Sequence, residues 1–155
     1  MVHHMRKMKK IASAADILER ELEPAIKEWL RRVNLVPELT AITLSDADRT
    51  GHLPKLYSDL ISRLRLGKDD APPPISVAAA AHGRKRRERG YSASMLVEES
   101  RAFQVATFCT LHLHRKELDK NLVLSDITVI ADEVDAQLAQ AVCGFTEATV
   151  AEDTA

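Results

Sequence analysis

Residues 77–113 read VAAAAHGRKRRERGYSASMLVEESRAFQVATFCTLHL, and this stretch decides the fold. The run Val77-Ala78-Ala79-Ala80-Ala81 is strongly helix-forming, and its small side chains let another helix approach closely. It continues through His82 to Arg89, and Gly90 ends it. Ser92 or Ser94 caps a second helix that runs to about Leu118. The apolar residues of that helix, among them Met95, Leu96, Val97, Phe103, Val105, Phe108, Cys109, Leu111 and Leu113, are spread around most of its circumference. A helix apolar on nearly all sides belongs at the centre of a bundle.

Upstream, Leu18, Leu22, Ile26, Trp29 and Val33 recur at three- and four-residue intervals and line one face of a helix, with Pro24 marking a break or bend. Pro37 ends this segment. Ser45 reads as an N-cap for a short turn interrupted by Gly51, leading into a longer helix that carries Leu53, Leu56, Tyr57, Leu60, Ile61 and Leu64 and closes at Gly67. Residues 68–74, with three successive prolines, form an exposed loop. Downstream, from about Ser125, Ile127, Ile130, Val134, Leu138, Ala141 and Phe145 repeat at near-heptad spacing and offer either core or a dimer seam. No segment alternates as a strand. These elements predict an all-α bundle of five or six helices, with residues 1–12 a flexible N-terminus, 13–148 one helical domain and 149–155 a tail.

The chain has 155 residues, 45% of them apolar and 29% charged, which is ordinary soluble globular composition. No apolar run reaches the length of about 20 residues that a membrane span needs, which points to a cytoplasmic protein. Net charge is −1 but lopsided. Residues 1–120 hold all 22 bases against 16 acids, whereas residues 121–155 hold 7 acids and no base, so the last element is expected to lie on the basic part of the fold. Cys109 and Cys143 sit among apolar residues and read as small buried hydrophobes rather than a disulfide.

Candidate chemistry is sparse. Arg84, Lys85, Arg86, Arg87 and Arg89 point in nearly every direction at 100° per helical residue and lack interleaved aromatics, which argues against nucleic acid. His112 and His114 lie on opposite sides of their helix and cannot chelate one metal. His52, beside Gly51 at a helix break, reads as a capping residue. No haem-attachment motif, Gly-rich phosphate loop or nucleophile elbow is present. The sequence thus predicts no catalytic residues, no metal and no cofactor. His82 and Arg86, one turn apart, are expected to face the central helix, with Glu99 or Glu98 pairing with Arg86 or a neighbouring arginine.

Ala81-His82-Gly83, Arg86, Gly90-Tyr91-Ser92, Leu96-Val97-Glu98-Glu99 and Arg101 resemble the pattern H-G-x-x-R-x-x-x-G-Y-S, then L-V-x-E and an arginine, of the N-terminal domain of RsbT co-antagonist (RsbRD-type) proteins. That domain is also found at the front of bacterial sensor histidine kinases, and the resemblance covers about residues 15–148. It implies a fold related to the non-haem globin-like sensors of the stressosome and a non-catalytic signal-input domain, regulating a kinase or stress-response output by rearranging helices or a dimer. It also implies a homodimer and a kinase, phosphatase or anti-sigma-antagonist partner. His82, Gly83, Arg86, Gly90, Tyr91, Glu99 and Arg101 are its signal-binding or structural residues. Alternative readings are a small-molecule or cofactor-binding helical module and a protein-interaction adaptor.

Overall fold

The computed structural model describes residues 10–67 and 75–154, and these form an all-helical bundle. Its elements are α1 (Ala14–Arg20), α2 (Leu22–Val33), α3 (Pro37–Thr40), α4 (Asp46–Thr50), α5 (Leu53–Leu66), α6 (Val77–Glu88), α7 (Ala93–Leu113) and α8 (Val123–Thr154). Eight helices replace the five or six expected, because the first segment divides and two short helices form between Pro37 and Thr50.

Local chemistry accounts for most boundaries. Side-chain oxygens of Ser13, Ser45, Ser76 and Ser92 accept N–H bonds from the first turns of α1, α4, α6 and α7. The break between α1 and α2 falls at Glu21, earlier than the proline. Pro24 sits instead in the first turn of α2, where a missing N–H leaves no helical bond unmade. Gly67 and Gly90 close α5 and the α6–α7 turn at φ +83° and +89°, a region side-chain-bearing residues avoid. The proline loop expected at 68–74 lies outside the described residues, as do residues 1–9 of the expected flexible terminus.

Ile17, Leu18, Trp29, Leu39, Tyr57, Leu60, Phe103, Ile130 and Val134 belong to one continuous core. Helix α7 packs on α1, α2 and α8 but stops at Leu113, short of the expected Leu118. It is also not enclosed all round: Val97, Val105 and Leu113 face solvent. The chain after it turns back so that the Ala12 N–H donates to the Glu117 carbonyl at 2.8 Å, which ties down the end of the segment expected to be flexible. Cys109 is half-buried and Cys143 is exposed, contrary to the expectation that both are buried.

The most extensive contact joins α6 to α8. A Cβ added at Gly83 would overlap the backbone of Ala141, and one at Gly144 would overlap the backbone of Ala80, so the two helices meet backbone to backbone. The apolar stripe of α8 forms core within the single chain. Ile130, Val134 and Ala141 are buried, Leu138 and Phe145 are half-buried against the core, and Ile127 alone is largely exposed. That corrects the dimer-seam reading, because the face with near-heptad spacing is already covered by the chain's own α5, α6 and α7. The expected tail at 149–155 is also corrected, since α8 continues to Thr154. The acidic helix lies on basic neighbours as its charge predicts: Arg63 reaches Asp132 at 3.0 Å, Arg84 reaches Glu147 at 3.5 Å and Arg87 reaches Glu152 at 2.9 Å. No helix among the described residues is long and apolar enough to cross a membrane.

Candidate functional site

Four elements bring polar side chains into the interior at one place. Helix α6 carries His82 and Arg86 on the face that meets α7, because residues four apart share a helical face. Helix α7 contributes Glu99 nearly two turns after its start. The junction between α4 and α5 contributes His52, and α2 contributes Trp29.

The centre of the cluster is an ion pair. Arg86 donates from Nε to Glu99 Oε1 at 3.0 Å and from Nη2 to Oε2 at 3.2 Å, a two-pronged contact between side chains that are 4% and 3% exposed. The guanidinium also donates to the carbonyls of Arg49 at 2.8 Å and Asp48 at 3.4 Å, so one side chain closes the end of α4 and anchors α7. Nε2 of His82 lies 3.3 Å from Glu99 Oε1. The Trp29 indole N–H donates to the Glu99 carbonyl at 3.1 Å, tying α2 to the same residue. Beside this, Arg49 is buried and donates to the carbonyls of Leu39 and Ile42 and to the Tyr91 hydroxyl. The Arg86 guanidinium lies over the Tyr91 ring, 5.1 Å from its centroid.

His52 has no side-chain capping bond, contrary to the capping role expected for it. Its ring stacks on that of His82, with centroids 3.6 Å apart and planes inclined by 11°, and meets the edge of Trp29 at 5.5 Å. Its Nδ1 is shut off from solvent and has no hydrogen-bond partner among the described residues. Next to the two histidines is a small cavity of about 30 Å³, mostly apolar but bordered by His52, His82, Glu99 and Gln137.

Burial sets the protonation of both rings. Desolvation holds His52 well below the ordinary histidine value, helped by the neighbouring His82 and Arg86. Desolvation also lowers His82, against the opposing hydrogen bond that its ring donates to Glu99. For Glu99, burial alone would raise the carboxyl, but His82 and the Arg86 guanidinium outweigh it and hold the group below the usual carboxylate range. At neutral pH the cluster therefore holds two neutral imidazoles, one carboxylate and one guanidinium.

Of the residues singled out in the sequence, His82, Arg86, Glu99 and Tyr91 come together, and Glu99 rather than Glu98 is the partner of Arg86. Gly83 serves the α6–α8 contact and Gly90 the turn. Arg101 stays outside, exposed on α7 and paired with Glu98 at 3.0 Å. His112 and His114 take no part, but the fold brings together potential metal ligands that chain spacing does not show. One ligand atom from each of His52, His82 and Glu99 lies within 4.8 Å of the others, although His52 is far from His82 in the chain. His52, Trp29 and Arg49 were not legible as members of the cluster. The one local sign was a histidine at the break between Gly51 and the Leu53-Pro54 helix start. No protein-family model, curated protein or solved structure matches the chain.

Proposed function

We propose that the chain is a non-catalytic signal-input domain, in which the state of the buried His52–His82–Glu99–Arg86 cluster sets the position of the long terminal helix α8. The observation that carries this reading is the placing of two contacts on one short helix. His82 and Arg86 of α6 belong to the cluster, while Gly83 and Ala80 of the same helix touch the α8 backbone. Two backbones in direct contact cannot move independently, so a change that displaces α6 also displaces α8. Beyond this contact α8 continues to Thr154 with its last residues exposed, where a downstream element can be engaged.

The resemblance to RsbT co-antagonist sensor domains supports the same reading and supplies its wider terms: a homodimer, a cytoplasmic setting and a kinase, phosphatase or anti-sigma-antagonist output. The surface for such partners lies outside the buried stripe of α8. Amide hydrogen exchange on the wild-type chain and on His82→Gln tests the relay. Faster exchange confined to α6 and to α8 from Ala141 onward, with α1 and α2 unchanged, is the expected result. Uniform loss of protection throughout the bundle would reduce the cluster to a structural corner and remove the reading.

A further inference from the structure

We infer that His52, His82 and Glu99 form a binding site for one divalent first-row transition ion of the Zn²⁺ class. The inference stands on the geometry of the cluster and does not depend on whether the domain relays a signal. Two imidazole nitrogens and a carboxylate oxygen, all within 4.8 Å of one another, are the donor set that borderline metals select, whereas Mg²⁺ and Ca²⁺ prefer all-oxygen surroundings.

Three further observations point to a ligand. Nδ1 of His52 is fully buried without a partner among the described residues, an arrangement native interiors rarely leave standing. Gln137, whose Oε1 is also buried and unpartnered among the described residues, borders the same small cavity. That cavity, about 30 Å³, holds one small ion or water and nothing larger.

The surroundings resemble those that orient metal ligands. Glu99 is fixed by Arg86 through its carboxylate and by Trp29 through its carbonyl. Stacked rings cannot both aim their lone pairs at one point, so one imidazole must turn about its Cβ–Cγ bond as the ion enters. The Arg86 guanidinium offsets part of the Glu99 charge, which places the affinity well below that of an all-cysteine site.

The test uses the full chain, untagged, in a His3→Gln/His4→Gln background so that the N-terminus adds no ligands. Equilibrium dialysis against Zn²⁺ should give one equivalent per chain. Co²⁺ should give visible d–d bands that Zn²⁺ abolishes, and the thermal midpoint should rise with Zn²⁺ concentration. His52→Gln and Glu99→Gln should each weaken binding by at least about tenfold, while Arg101→Gln retains it. Nitrogen NMR of the unaltered residues gives a readout free of folding defects, since the His52 and His82 ring signals should shift together as Zn²⁺ is added. Absence of stoichiometric uptake would overturn the site and leave a single water in the cavity. So would uptake that leaves those two rings unshifted, or binding unchanged by His52→Gln and Glu99→Gln.

Discussion

Glu99 receives Arg86, His82 and, through its carbonyl, Trp29, so two elements, α6 and α2, converge on one residue of α7. Removing one charge of a buried pair leaves the other uncompensated, so Glu99→Gln should lower stability by about 2–4 kcal/mol. Glu88→Gln, at an exposed position, should change it by no more than about 0.5 kcal/mol. Urea denaturation of the two variants measures the difference. Glu133 behaves in the opposite sense. Burial pushes its carboxyl above the ordinary value of 4.5, the Gln137 hydrogen bond opposes this, and Asp59 and Asp132 add to the rise. A carboxyl raised on folding means that the native state binds the proton more tightly, so its contribution is favourable at low pH and is lost as pH rises above 4.5. Glu133→Gln keeps an oxygen for Gln137 and removes the buried charge. The variant should therefore gain on the wild type as pH rises above 4.5 in denaturant titrations. A constant difference would contradict the assignment.

The most extensive contact between elements is that of α6 and α8, and it rests on two glycines. Gly83→Ala and Gly144→Ala each drive a methyl group into the facing backbone, which cannot give way as a flexible side chain would. Each should destabilise by about 3 kcal/mol and lower the thermal midpoint by roughly 2–4 °C per kcal/mol. Gly67→Ala is a contrasting case. Nothing lies near its Cβ position, but φ is +83°, so the loss comes from backbone strain alone and should be about 1–2 kcal/mol. Calorimetry on the three variants separates the two mechanisms. A Gly83→Ala midpoint no lower than that of Gly67→Ala would show that the helices can part at little cost.

Over the whole molecule the charge asymmetry is resolved internally. Acids of α8 face arginines of α5 and α6, yet Glu147 and Glu152 are exposed, and their pairs with the half-buried Arg84 and Arg87 count for little individually. Raising salt from about 0.1 M to about 0.5 M shortens the screening length and should leave the thermal midpoint nearly unchanged, because the apolar stripe and the backbone contact hold α8 in place. A fall of many degrees would mean that the charges, not the stripe, carry the association. Val134 is 1% exposed, so Val134→Asp should unfold the single chain whatever its oligomeric state.

The sequence by itself determined the all-helical class, the cap at Ser45, a serine cap at the start of α7, the stops at Gly67 and Gly90, and the pairing of Glu99 or Glu98 with an arginine of the basic run. Each of these is a matter of neighbours along the chain, where periodicity and hydrogen-bonding chemistry act over a few residues. The α8 stripe was legible as apolar, but whether it met its own chain or a second copy was not, since both options satisfy the same spacing. Tertiary structure decided for the core. It also decided the membership of the polar cluster. Trp29, Arg49 and His52 reach it from α2, α4 and the α4–α5 junction, and no local pattern records a meeting between residues tens of positions apart. His52 shows the reason most plainly: at a helix break its sequence context suggests a cap, and only the packing of α6 beneath it turns the ring into a partner for His82.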